Sequence, residues 1–246
     1  MAPADTAGGA FRSTAIVVVA FGIAMGFLEA AVVVYLRAAL GLEPSGLVPV
    51  HDAAAFGAFE GVELARELAT LIMIAAVGWL AGRGALERLA WAAVVFGAWD
   101  IVYYADLRIV VGWPPSPAAW DILFLVPVPW VGPVWAPLVV SAALVVFGLA
   151  AARRLRADRP IVVGRLRALA ALAGGGLVVV SFLVDSNRVL AGDDSAWTGW
   201  PLFGAGMALA IGATSGALVG PSRAITSGGV SPDHVSGGRP SAGSPE

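Results

Sequence analysis

The chain has 246 residues, of which 59% are hydrophobic and only 13% are charged. A soluble domain of this length carries about a quarter charged residues, so the composition argues against a soluble protein. The net charge of −2 identifies no partner, and we expect no nucleic-acid binding. The absence of cysteine excludes disulfides, thiolate metal sites and cysteine nucleophiles.

Six apolar stretches are each close to the roughly 20 residues that a helix needs to cross a bilayer. In chain order they are residues 14–36, 58–81, 87–110, 134–152, 165–184 and 200–220. The predicted fold class is therefore an all-α polytopic membrane protein with six transmembrane helices, forming one domain over residues 1–220. Residues 221–246 are rich in Gly, Ser and Pro, which predicts a disordered tail.

The arginines predict the orientation of these spans. Cytoplasmic loops of membrane proteins carry an excess of positive charge. In a six-span arrangement one side of the membrane collects most of the arginines, namely Arg12, Arg83, Arg88, Arg153, Arg154, Arg156, Arg159, Arg165, Arg167, Arg223 and Arg239. Both termini are therefore predicted to be cytoplasmic. All fifteen Lys and Arg positions are arginine, which is typical of a GC-rich genome. The predicted location is a bacterial cytoplasmic membrane.

Two segments of the chain resemble each other at an offset of 71 residues. Residues 26–45 align with residues 97–116 without a gap, and the match pairs Gly26 with Gly97, Glu29 with Asp100, Arg37 with Arg108, Gly41 with Gly112, and Pro44-Ser45 with Pro115-Ser116. The match predicts a parallel duplication of a two-helix unit, with spans one and two repeated as spans three and four. The alternative is chance similarity between two apolar helices.

Ionisable residues inside the predicted spans are the main candidate site. Each costs about 2.5–3.5 kcal/mol on insertion scales, so such residues usually face the bundle interior and serve a function. They are Glu29 in span one, Glu63, Arg66 and Glu67 in span two, and Asp100 in span three. All five lie in the outer halves of their spans, so we expect them to converge in an outward-facing cluster. Tyr103 and Tyr104, one turn from Asp100, would extend it.

The charges of this cluster do not balance. Four carboxylates against the single Arg66 would give −3 if all were ionised, which a buried site does not hold. Either some of the carboxylates are protonated or a cation lies among them. The alternative is a buried polar cluster that only fixes helix packing. No metal ligand set is assigned, and the cofactor stays unknown.

The segment between spans three and four is rich in proline and tryptophan. Ser116 and Pro117 are typical of a helix N-cap and first turn, which predicts a short interfacial helix from Pro117 to Leu125. Trp120, Asp121 and Trp130 would then cover the mouth of the cluster. The alternative is an aromatic anchor loop that only positions span four. The preceding outer loop carries His51 and Asp52, of which His51 is more typical of a surface residue than of a ligand.

No nucleotide-binding or hydrolase motif is present, so function has to be inferred from the cluster. The first hypothesis is a site that binds or acts on a small or lipid-like ligand, with Glu29, Glu63, Glu67 and Asp100 as acid–base groups. Arg66, Tyr103, Tyr104, Trp120, Asp121 and Trp130 would bind the ligand. The second hypothesis is a proton- or cation-coupled transporter, which requires a second access route from the cytoplasm. The third is a non-catalytic accessory subunit of a membrane complex, in which the acids are paired and no cavity exists.

Overall fold

The computed structural model describes residues 3–39, 41, 60–193 and 195–219. The predicted tail at 221–246 and the outer loop with His51 and Asp52 lie outside the described residues. The described part is mostly helical, and its elements in chain order are α1 (Pro3–Ala39), α2 (Glu60–Ala81), α3 (Ala85–Val111), β1 (Trp120–Phe124), β2 (Trp130–Pro133), α4 (Trp135–Arg156), α5 (Arg165–Leu183), α6 (Ser186–Leu190) and α7 (Trp200–Val219).

Five helical stretches of the described residues are long and apolar enough to cross a membrane. They are Gly8–Ala39, Gly61–Ala81, Trp135–Arg156, Arg165–Leu190 and Trp200–Val219, and they coincide with five of the six predicted spans. A membrane protein built from apolar helices is thereby confirmed. The predicted span at 87–110 falls within α3, which is not among the five and which carries five charged side chains in its 27 residues.

Helix α3 is the central element of the first half of the molecule. α1, α2 and α4 all pack against it, and the side chains of Trp91, Val94 and Val95 on α3 are fully buried. Gly148 of α4 allows a close approach, since a Cβ at this position would lie 2.7 Å from the carbonyl oxygen of Ala90. Because other helices surround α3, its polar groups can face protein and each other instead of lipid.

The second half of the molecule is a closely packed pair, α5 and α7. Gly174 and Gly206 face each other at the contact, and a Cβ on either would lie 2.7 Å from the carbonyl oxygen of the other. Small residues are the usual means of bringing helices together in a membrane. The pair joins the rest of the bundle through limited contacts of α7 with α4 and of α5 with β2.

The predicted interfacial helix from Pro117 to Leu125 is wrong. This segment contributes to an antiparallel hairpin, in which Trp120 of β1 lies opposite Pro133 of β2 and Ile122 lies opposite Val131. The aromatic and β-branched residues of both strands favour extended backbone. The prolines in the following turn, at positions 127 and 129, cannot continue a helix interior. Although the segment begins with a helix N-cap signal, its pairing with β2 makes it a strand.

The two ends of the bundle differ in their polar groups. At the end we call the arginine-rich end, Arg156 at the end of α4 lies 2.6 Å from Glu87 in the first turn of α3. Arg156 also donates to Thr14 of α1 at 2.8 Å and to the carbonyl oxygen of Ala81, the last residue of α2, at 2.8 Å. The start of α3 and the ends of α2 and α4 therefore lie together near the N-terminal part of α1.

Two further arginines extend the contacts at the arginine-rich end. Arg83 lies 3.0 Å from Glu87 and donates to the carbonyl oxygen of Leu155 at 3.0 Å. Arg154 of α4 donates to the carbonyl oxygen of Leu218, which places the end of α7 at the same level. The hairpin lies at the opposite end of the helices, which we call the hairpin end.

Candidate functional site

The first part of the site is an ion cluster between α1 and α2. Arg66 forms an ion pair with Glu29 and donates through Nε to Glu63 at 2.9 Å. Thr70, one turn further along α2, donates its hydroxyl to Glu29 at 2.5 Å. Glu29, Glu63 and Thr70 are buried and Arg66 is half-buried. Three of the predicted charged residues are therefore brought together as expected, with two carboxylates sharing one guanidinium.

Glu67 is the link between α2 and the hairpin. Both of its carboxylate oxygens accept a hydrogen bond from the backbone N–H of Leu125, at 2.9 and 3.0 Å. Leu125 directly follows β1 at the start of the turn. The side chain of Glu67 thus satisfies a backbone donor at the start of this turn.

Asp100 and Asp121 each accept a hydrogen bond from a hydroxyl group. The Ser141 hydroxyl of α4 donates to Asp100 at 2.8 Å, and the Tyr104 hydroxyl of α3 donates to Asp121 in β1 at 2.8 Å. Burial raises the pKa of Asp121 to about 7, although the Tyr104 hydroxyl lowers it in part. The hairpin is therefore held over the bundle at two points, by Glu67 and by Tyr104.

A cavity of about 800 Å³ lies between the α2–α3–α4 face and the α5–α7 pair. This volume is within the usual range of about 300–1,000 Å³ for ligand pockets. Its polar lining is concentrated near the hairpin end, and most of the remaining wall is apolar. Eight of the ten predicted site residues line it, namely Glu29, Arg66, Glu67, Asp100, Tyr103, Tyr104, Asp121 and Trp130.

Aromatic rings form a continuous wall beside these polar groups. Trp99 lies 5.2 Å from Phe96, 6.5 Å from Tyr103 and 6.3 Å from Phe124, measured between ring centroids. Trp130 of β2 continues the series at 5.5 Å from Phe124. All five rings line the cavity, so its polar end is bordered by flat apolar surfaces as well as by carboxylates.

Two of the predicted site residues lie away from the cavity wall. Glu63 pairs with Arg66 but does not line the cavity, so it balances charge behind the wall. Trp120 lines a separate surface pocket with Trp113 and Trp135. Trp120 therefore does not line the main cavity as predicted, whereas the residues that follow it in β1, from Asp121 to Phe124, do.

The sequence reasoning missed the hydroxyl partners of the two central acids. Thr70 follows Glu29 by 41 residues, and Ser141 follows Asp100 by 41 residues. Thr70 and Ser141 are thus themselves separated by 71 residues, the offset of the internal similarity, and that offset was the signal that could have identified them. Gly41 and Gly112, another matched pair, both have left-handed backbone, with φ of 65° and 72°.

The two helix pairs nevertheless differ in packing. α3 packs extensively on α4, whereas α1 contacts α2 only slightly among the described residues, since α3 provides most of the neighbouring surface for both. The carboxylate–hydroxyl contact therefore occurs in both helix pairs, α1–α2 and α3–α4, but only the second pair is closely packed.

Other buried acids lie outside the cavity. Glu87 belongs to the arginine-rich end, where Trp91 also donates to it at 3.3 Å. Asp185, just before α6, accepts hydrogen bonds from the backbone N–H and hydroxyl of Thr198 at 2.6 and 2.7 Å and pairs with Arg188. Both carboxylates are saturated by arginine and local donors, which is the pattern of a packing role.

No group of three or more His, Cys, Asp or Glu side chains with the geometry of a metal site occurs among the described residues.

Comparisons with protein-family models, with curated proteins and with solved structures find no match to this chain.

Proposed function

We propose that this chain is a six-span integral membrane protein whose cavity binds a lipid-like ligand through the carboxylates and arginine near the hairpin end. The observation that supports this is the amphipathic cavity of about 800 Å³, whose carboxylates, Arg66 and tyrosines are grouped near one end while the rest of its wall is apolar. A lipid has the same division, with a polar head group and an apolar chain. A packing cluster or an accessory subunit would not need a space of this size beside its acids.

The proposal counts α3 as the sixth span. α3 has 27 residues, so it is about 40 Å long, which exceeds the roughly 30 Å hydrocarbon thickness. The shielding of α3 by α1, α2 and α4 would reduce the cost of its charged residues. With six spans, the arginine-rich end faces the cytoplasm, both termini are cytoplasmic, and the hairpin lies on the outer face. The expected location is a bacterial cytoplasmic membrane.

The absence of cysteine makes this topology directly testable. Single cysteines at Ser116 and at Arg159 would be labelled with a membrane-impermeant maleimide in intact spheroplasts and again after permeabilisation. We expect Ser116→Cys to react in both and Arg159→Cys to react only after permeabilisation. Labelling of both from the outside would contradict the six-span arrangement.

We also propose that the chain contains a duplicated two-helix unit. The support is the pair of carboxylate–hydroxyl contacts, Glu29 with Thr70 and Asp100 with Ser141, in which all four positions obey the 71-residue offset. The duplication would explain why Glu29 and Asp100 both line one cavity, each with a hydroxyl partner. The different packing of the two pairs would then reflect divergence after duplication.

Ligand binding can be tested with a brominated short-chain monoacylglycerol in nanodiscs. Bromine quenches tryptophan fluorescence at short range, and Trp99 and Trp130 line the cavity. The Glu67→Gln/Asp121→Asn double variant keeps oxygen acceptors for Leu125 and Tyr104 but removes two ionisable carboxyl groups. We expect it to weaken binding at least about tenfold, as lost hydrogen bonds to charged groups predict.

The matched control for this experiment is Asp106→Asn, which lies on α3 but does not line the cavity. It should bind the probe as the wild type does. Equal binding by all three proteins would refute a ligand site at the carboxylates.

The same carboxylates are suited to acid–base catalysis, since a protonated group donates and an ionised group accepts. Chemical change of the bound lipid would distinguish an enzyme from a binding protein.

A second candidate function is transport, and one observation favours it. The wall of the cavity continues past the apolar section to Arg167, Thr214 and Leu218 at the arginine-rich end, so the space extends along most of the bundle. A coupled transporter needs access from both sides. Proton uptake into proteoliposomes that disappears in Glu67→Gln would support transport, whereas lipid binding without flux would favour the first candidate.

A further inference from the structure

The cavity reaches the outer surface of the bundle between α3 and α5. Leu89 of α3 and Leu172 of α5 both line the cavity, yet their exposed fractions are 67% and 74%. Leu86, one turn before Leu89, also lines it and is exposed. α3 and α5 do not pack extensively on each other among the described residues, which leaves a gap between them. The cavity is therefore a groove with a lateral opening, bordered by leucines.

We call this opening the portal and define it by Leu86, Leu89 and Leu172. We propose that the acyl chain of a long-chain lipid passes through the portal while its uncharged or cationic head group lies at the carboxylates. The inference rests on the proposed ligand site and adds the class of ligand and its route. Leu89 and Leu172 lie one to two turns inside α3 and α5 from the arginine-rich end, so in a bilayer the portal would face the acyl chains near that interface.

The distance between the carboxylates and the portal determines which chains need it. Asp100 and Leu89 are 11 residues apart on α3, which corresponds to about 16 Å along the helix axis. An extended chain advances about 1.3 Å per carbon, estimated from a carbon–carbon bond of about 1.5 Å, so about 13 carbons fill this distance. Shorter chains end inside the groove, whereas longer chains reach the level of Leu89, where the portal offers them an exit.

The charges of the lining determine the head group. Glu29, Glu67, Asp100 and Asp121 line the cavity, and the guanidinium of Arg66 is already paired with Glu29 and with Glu63 behind the wall. An anionic phosphate placed among these carboxylates would be repelled by them, and Arg66, the arginine that lines this end of the cavity, is already paired. A hydroxyl or ammonium group instead donates hydrogen bonds, which carboxylate oxygens accept.

The test compares brominated monoacylglycerols of about 10 and about 18 carbons, one on each side of the estimated limit. Leu89→Trp and Leu172→Trp narrow the portal at exposed positions and leave the carboxylates unchanged. We expect each to weaken binding of the long probe at least about tenfold, or about 1.4 kcal/mol, and that of the short probe less than about twofold. Leu169→Trp is the matched control, because Leu169 is 63% exposed on α5 but does not line the cavity.

The possible outcomes separate the two proposals. Unchanged long-chain binding in both portal variants, or equal loss of both probes, would overturn the portal while leaving the ligand site intact. Failure of the wild type to bind either probe would overturn both. A brominated alkyl phosphate of about 10 carbons tests the head group, and binding as tight as that of the monoacylglycerol would refute the exclusion of anions.

A crosslinking measurement provides an independent check on the wild-type protein. A long-chain monoacylglycerol with a diazirine at its terminal carbon should label peptides that contain Leu89 or Leu172. The short-chain analogue should label residues inside the groove, such as Phe96 or Leu144, which line it away from the portal. Identical labelling patterns for the two probes would contradict the portal.

Discussion

Replacement of Arg66 by methionine tests the ion cluster between α1 and α2. Arg66 pairs with Glu29 and Glu63, both of which are buried, and no other arginine pairs with either among the described residues. Its removal would leave two buried carboxylates without a counter-charge. Breaking a buried pair in this way typically costs about 3–5 kcal/mol. For a chain of this size each kcal/mol lowers Tm by about 2–4 °C, so we expect a loss of roughly 6–20 °C.

The assay is thermal unfolding of the purified protein in detergent, followed by circular dichroism. Glu29→Gln/Glu63→Gln/Arg66→Met provides the matched control, because it removes all three charges while the amide of residue 29 still accepts from Thr70. The triple variant should recover most of the lost Tm, since the cost arises from unpaired charge and not from lost packing. Arg108→Met, at an exposed position that donates only to backbone carbonyls, should change Tm little. A loss below about 1 kcal/mol for Arg66→Met, as at surface pairs, would refute a buried cluster.

Two further predictions concern packing and pH. In Gly148→Leu the new Cβ would lie 2.7 Å from the carbonyl oxygen of Ala90, so the variant should be destabilised by about 1–3 kcal/mol or more. Gly204→Leu is the control, because a Cβ at this position meets no atom within 4 Å. Equal Tm values for the two variants would contradict the close α3–α4 contact. Because the pKa of Asp121 is raised from 3.8 to about 7, the folded protein keeps a proton that the unfolded chain releases. Stability should therefore fall as pH rises from about 4 to 7, and Asp121→Asn should flatten this dependence of Tm; an unchanged slope would contradict it.

The helices and the convergence of the acids could be predicted from the sequence for a clear physical reason. In a membrane, apolar runs of sufficient length have few alternatives to helix, since every backbone polar group must be paired internally. The same constraint places buried charges on faces that meet. Glu29, Arg66 and Glu67 accordingly line one cavity.

The hairpin and the hydroxyl partners could not be predicted in the same way. Ser116 and Pro117 carry a local helix signal, but the strand is fixed by non-local pairing of Trp120 with Pro133 and by Glu67 binding the backbone of Leu125. Such contacts join residues far apart in sequence and leave little local pattern. Hydroxyl residues are common in apolar helices, so only the 71-residue offset distinguishes those that bind an acid.

The position of Arg156 has a consequence for the order in which the contacts of the bundle form during synthesis. Its guanidinium contacts Thr14 of α1, Ala81 of α2 and Glu87 of α3, so one side chain joins all three earlier helices. Arg156 is the last residue of α4, and it leaves the ribosome only after those helices have been synthesised. α1, α2 and α3 are therefore synthesised before their common partner exists. Among the described residues, Glu87 pairs with Arg83 and Arg156, so until α4 is complete it has Arg83 alone, and the contacts that Arg156 makes with the first three helices can form only after α4 has been made.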